Sequence, residues 1–174
     1  MADTIDWKPN FEKWYKVNKE SYQLIYELAK ERFEEVSSES ESITDKAIKM
    51  LTAVVSLFGF FIGFVFKQHS SHWFIYILVP LVTADIYYLY HLLTPKESRL
   101  RGLPPSESIP LNLDSEEDKE FQTELVYYQA IVHYQNNITI MKKKNESRII
   151  NYKIAIKLFL LLLVIISIFV ATSL

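Results

Sequence analysis

The chain has 174 residues, no cysteine, three glycines and a formal net charge of −2, with 49% hydrophobic and 23% charged residues. The missing cysteine excludes a disulfide scaffold, a thiol nucleophile and any Cys-ligated zinc or iron–sulfur site, the near-neutral balance offers no electrostatic footprint for general nucleic-acid binding, and so few glycines leave no dinucleotide fingerprint or P-loop. A mean hydropathy of +0.05 averages two unlike populations, because nearly all charges lie in residues 1–49 and 94–157 and three other stretches are almost uncharged.

Residues 1–47 form an N-terminal cytoplasmic helical segment. From Asn18 to Lys49 there is no Gly or Pro, and apolar or small residues recur in a 3–4 rhythm: Tyr22, Tyr26, Ala29, Phe33, Val36, Ser40, Ile43, Ala47, Met50, Val54. That rhythm predicts one long helix running on into the membrane. Its weak point is Ser37–Ser42, a Ser/Glu run of poor helix propensity where a kink or break is expected. The seam either packs on the second cytoplasmic helix or forms a coiled coil between subunits.

The first membrane span covers 48–67, long enough to cross a hydrocarbon core of about 30 Å at ~1.5 Å per residue. It has two unlike faces. Thr52, Ser56, Gly59 and Gly63 fall at 3–4 spacing, with Lys49 at the cytoplasmic end, while Met50, Val54, Leu57, Phe61 and Phe64 lie roughly opposite. Gly59 and Gly63 make a GxxxG step that lets helix backbones approach closely in lipid. The small face then either packs on another helix of the same chain or, in several copies, lines a narrow pore in which hydroxyls replace water.

An outer loop, 68–72, leads to the second span, 73–93. The loop carries His69 and His72, but two ligands do not make a zinc site and a solvated turn is the expectation. Asp85 lies about eight residues from the inner end of the second span, where a charged carboxylate facing lipid would be several kcal/mol out of place. Ser56 lies near its depth, and Lys157 of the third span about one turn nearer the cytoplasm. Asp85 is therefore expected either to make a fixed contact with Lys157 or Ser56, or to form a ring with its copies that selects cations or gates with protonation.

Residues 94–115 hold four prolines and a glycine, which predicts a cytoplasmic loop. Ser115 then opens a capping-box pattern, and a cytoplasmic helix is expected over 116–152. Phe121, Leu125, Tyr128 and Val132 mark one apolar stripe on it, and Tyr127, Ile131, Tyr134, Ile138 and Met141 another, so a broad face is expected to be buried. Lys142, Lys143, Lys144 and Arg148 near its end are candidates for an anionic ligand or, more simply, for lipid headgroups. The sequons at Asn137 and Asn145 fall on the expected cytoplasmic side and carry little meaning. The third span is 153–174.

Lys46 and Lys49 precede the first span, and Lys96, Arg99, Arg101, Lys142, Lys143, Lys144, Arg148 and Lys153 follow the second, against Lys67 alone in the outer loop. The positive-inside rule therefore places the N-terminus in the cytoplasm and the C-terminus outside. No HExxH, no GxSxG elbow and no convincing carboxylate pair occurs, so catalysis has no support, and neither a metal nor a cofactor is expected.

A cytoplasmic helix ending in Asp45, Lys46 and Ala47, a two-span hairpin, a Pro-containing loop, a long helix and a third span resemble small three-span bacterial membrane effectors of anti-phage defence. These include Pycsar transmembrane effectors and similar proteins of CBASS and Hailong systems. The resemblance covers most of the chain through its layout and that one short motif. It implies an oligomeric effector that disrupts the membrane when a nucleotide-type signal, or release from an associated cytoplasmic enzyme, triggers it. No nucleotide-binding motif of this chain matches. The expectation is thus an all-α integral membrane protein, a helical bundle of three transmembrane and two long cytoplasmic helices in a homo-oligomer, acting as a gated pore. The alternative is a non-conducting anchor whose cytoplasmic helices recruit a soluble partner.

Overall fold

The computed structural model describes residues 16–68, 73–93 and 119–173, and every regular element there is helical. Helix α1 spans Lys19–Gln68, α2 Trp73–Leu93 and α3 Lys119–Ser173. All three are long and apolar enough to cross a membrane, which makes the chain a multi-pass membrane protein in its layout. The Pro-rich loop and the capping box at Ser115 lie outside the described residues.

Asn18 starts α1: its Oδ1 accepts the Ser21 amide at 3.1 Å and its carbonyl accepts the Tyr22 amide at 3.2 Å. These bonds satisfy two of the donors that a helix N-terminus leaves open. The helix then continues for 50 residues, about 75 Å at ~1.5 Å per residue, and is helical through Ser37–Ser42, where a break was expected. Serine disfavours helices because its hydroxyl competes for nearby backbone groups. Here the Ser40 hydroxyl is occupied by the Arg148 guanidinium at 2.6 Å, which removes that competition at the seam position. The third helix is likewise continuous over 55 residues, joining the expected cytoplasmic helix to the third span.

The chain divides into two compact units, one of residues 1–39 with 97–144, the other of residues 40–96 with 145–174. In the first, the early part of α1 packs parallel to the early part of α3. Tyr26 lies between Tyr127 and Tyr134, with ring centroids 5.5 and 5.7 Å away, and Phe33 meets Tyr134 at 5.5 Å. Phe33, Val36, Tyr134 and Ile138 close a small apolar core. These are the expected seam of α1 and one of the two stripes of α3, so the packing of that seam within the chain is now explicit.

The second unit is a three-helix bundle in which α2 runs antiparallel to α1 and α3. Its core takes Ile43, Ala47, Met50, Val54, Phe61 and Val65 from α1, Leu78, Val82, Leu89 and Leu92 from α2, and Ala155, Leu162, Ile166 and Phe169 from α3. Phe169 is the knot at one end, with its ring centroid 5.1 Å from Phe61 and 4.5 Å from Phe74, both in tilted edge contact. Large apolar side chains also cover much of the outside of this bundle. Phe60, Phe66, Tyr76, Val164 and Ile168 are all more than half exposed, as suits a surface that faces lipid. In lipid there is little hydrophobic drive between helices, so close packing and polar contacts must hold the bundle.

Candidate functional site

The small face of α1 is open. Lys49, Thr52, Ser56, Gly59 and Gly63 are all exposed, while Met50, Val54, Phe61 and Val65 on the other side are buried. A Cβ built on Gly59 or Gly63 would meet nothing within 4 Å. Among the described residues the stripe thus packs on no other helix of the same chain. The Thr52 hydroxyl donates to the Ile48 carbonyl at 3.0 Å, so it is satisfied by its own helix and leaves the face smooth.

Asp85 lies on the opposite kind of surface. It shares the inward line of α2 with Leu78, Val82, Leu89 and Leu92, is 1% exposed, and neither carboxyl oxygen has a hydrogen-bond partner. Lys157 and Ser56 are both exposed, and the expected Asp85–Lys157 or Asp85–Ser56 contact does not form. A ring of Asp85 carboxyls around an oligomer axis fares no better in this packing, because a side chain buried inside each protomer cannot also line a path between protomers. The stripe of α1 and Asp85, which the sequence places at one depth, serve different surfaces.

Of the basic group, Lys142 and Lys143 are exposed and Lys144 is half-buried. Arg148 is different. Its Nη1 donates to the Ser40 carbonyl at 3.2 Å and to the Ser40 hydroxyl at 2.6 Å, and its Nη2 donates to the Thr44 hydroxyl at 2.6 Å and to the Leu92 carbonyl at 2.9 Å. One guanidinium thus ties α1 and the last turn of α2 to α3. Leu92 is one of the terminal carbonyls that a helix cannot satisfy internally, and a rigid fork of donors is well suited to bridge it to two hydroxyls. Burial lowers the Arg148 pKa from its ordinary value, yet a guanidinium remains charged. Arg148 is therefore a structural clamp directed into the bundle, where a headgroup or anion contact was expected. The signal for it was present: Ser40 is a polar residue on an otherwise apolar inward seam, and such a residue needs a partner.

Two tyrosines in the first unit are strongly perturbed. Burial, with Glu124 and Tyr128 adding to it, pushes Tyr22 up to about 12, and burial with the Tyr26 hydrogen bond does the same for Tyr134. The two sequon asparagines are buried, and the Asn137 amide nitrogen lies 2.7 Å from His133 Nε2. His69 and His72 lie outside the described residues. Among the described residues no three His, Asp or Glu side chains cluster as metal ligands do. Comparison of the chain with protein-family models, curated proteins and solved structures finds no match.

Proposed function

We propose that the chain is an oligomeric membrane effector, a gated pore or ion channel that depolarises the bacterial inner membrane in anti-phage defence. One observation carries the reading: the α1 face made of Thr52, Ser56, Gly59 and Gly63 is turned away from its own bundle. Glycines at GxxxG spacing on a membrane helix permit a second backbone to come close. Repeated around a symmetry axis, the same face provides a narrow path with hydroxyls along it and Lys49 at the cytoplasmic mouth. Such a path must be closed at rest, since a permanent leak would dissipate the membrane potential. The cytoplasmic segments 18–49 and 116–152 are the gate in this reading, released by a nucleotide-type signal or an associated enzyme. The N-terminus is cytoplasmic and the C-terminus outside, and no catalytic step is involved.

The test is current across planar bilayers containing the purified protein, for wild type and Ser56→Leu, with and without residues 1–40. Wild-type current that falls with Ser56→Leu supports the pore. Absence of current in every form leaves the second reading, a non-conducting anchor for a soluble partner. That reading has its own support in Leu24 and Leu28, one turn apart on α1 outside the span and 59% and 56% exposed.

A further inference from the structure

We propose that Asp85 is a proton-binding site inside the membrane-spanning core, and that α2 packs against α1 and α3 only while the proton is bound. The proposal needs only that this core lies in the bilayer, so it stands apart from conduction.

Asp85 sits near the middle of α2, eight residues before its end at Leu93, or ~12 Å along the axis at about 1.5 Å per residue. Its neighbours at helical spacing on the inward face are Val82 and Leu89, each at most 4% exposed. The core it belongs to also holds Met50 and Val54 from α1 and Ala155 and Leu162 from α3. None of these four carries charge, and the titratable side chains packed against the same core are the phenols of Tyr88 on α2 and Tyr152 on α3. The cations on the same two helices are elsewhere: Lys49 and Lys157 are exposed, and Arg148 spends its donors on Ser40, Thr44 and Leu92.

A buried carboxylate with no cation and no donor is among the costliest groups a protein can hold, and the cost rises in hydrocarbon. The same carboxyl as a neutral acid carries no charge and has gained an O–H donor. The buried, unpartnered setting is therefore a site for –COOH. Release of the proton leaves –COO⁻ in a core that offers it nothing, and the charge then has to draw in water or a cation. Either one requires α2 to separate from Val54 and Leu162. Proton occupancy and helix packing are in this way two faces of one equilibrium.

The experiment uses the full chain in liposomes of uncharged lipid. Infrared spectra at neutral pH are expected to contain the carbonyl band of a protonated carboxylic acid, displaced when isotope-labelled aspartate is incorporated and lost in Asp85→Asn. The labelled wild type makes the assignment even if the variant does not fold. On raising the pH, disappearance of the band is expected to coincide with faster amide exchange in residues 78–92, by about tenfold or more, equivalent to ~1.4 kcal/mol of lost protection. A neutral-pH spectrum without an aspartic-acid band overturns the proposal. So does a band that titrates while the exchange of α2 stays unchanged.

Discussion

Replacing Arg148 by methionine keeps an unbranched apolar stem and removes every donor of the clamp. Its four hydrogen bonds, at 2.6, 2.6, 2.9 and 3.2 Å, would sum to roughly 6–12 kcal/mol if each took the value of a bond to a charged group. The structure argues for much less. Thr44 already donates to the Ser40 carbonyl at 3.1 Å, so both of those groups keep a partner, and the Ser40 hydroxyl can turn to its own helix backbone. Only the Leu92 carbonyl is left bare, at about 1–3 kcal/mol, and relief from burying a cation returns part of the loss. Arg148→Met is thus expected to destabilise the bundle by ~1–2 kcal/mol, roughly a 5- to 30-fold shift in the unfolding equilibrium. Arg148→Lys should fall between, because a compact ammonium cannot fork across Ser40, Thr44 and Leu92 together. Ser40→Ala should cost less than about 1 kcal/mol, since the guanidinium retains the Ser40 carbonyl. Reversible unfolding of the full chain in mixed micelles of increasing denaturing detergent measures all three. If Arg148→Met changes stability by less than about 0.5 kcal/mol, or if Ser40→Ala costs as much as Arg148→Met, the clamp does not work as described.

Gly59→Leu and Gly63→Leu provide a second test, because the open space at both glycines means neither change should alter the stability of a protomer, while both should dissociate an oligomer packed through this face; light scattering in detergent reads the mass, and an unchanged mass in both variants refutes that interface. Tyr22 and Tyr134, pushed up to about 12 by burial, bind their protons more tightly folded than unfolded. Their contribution to stability is complete below the unfolded tyrosine value of ~10 and is lost as pH rises from there through about 12. Absorbance titration should show two late-ionising phenols among the 11 tyrosines, one removed by Tyr22→Phe and the other by Tyr134→Phe; ionisation of both with the exposed phenols would show that the first unit does not bury them.

The periodicity of α1 made its inward side legible residue by residue. Tyr22, Phe33, Val36, Ile43, Ala47, Met50 and Val54, spaced three, four or a multiple of turns apart, are all buried. Periodicity identifies a face by what is alike along it, and it is silent about which of two candidate faces finds a neighbour. For α1 that choice is a competition over two partner helices only. Val54, Phe61 and Val65 offer more atoms to pack than Gly59 and Gly63, and in lipid the number of close contacts decides, because apolar surface gains little merely by leaving water. The bulky side therefore takes α2 and α3, and the small side is left facing outward. Asp85 and Arg148 were illegible for a different reason. Each is a single charged residue whose meaning depends on other helices, Ser40 and Leu92 for Arg148, and an apolar core drawn from three helices for Asp85. A sequence read along one helix registers the cost of such a charge without naming what meets it. The two residues resolve that cost in opposite ways: the guanidinium, which keeps its charge, is surrounded by acceptors, whereas the carboxyl, which can give its charge up by taking a proton, is surrounded by hydrocarbon.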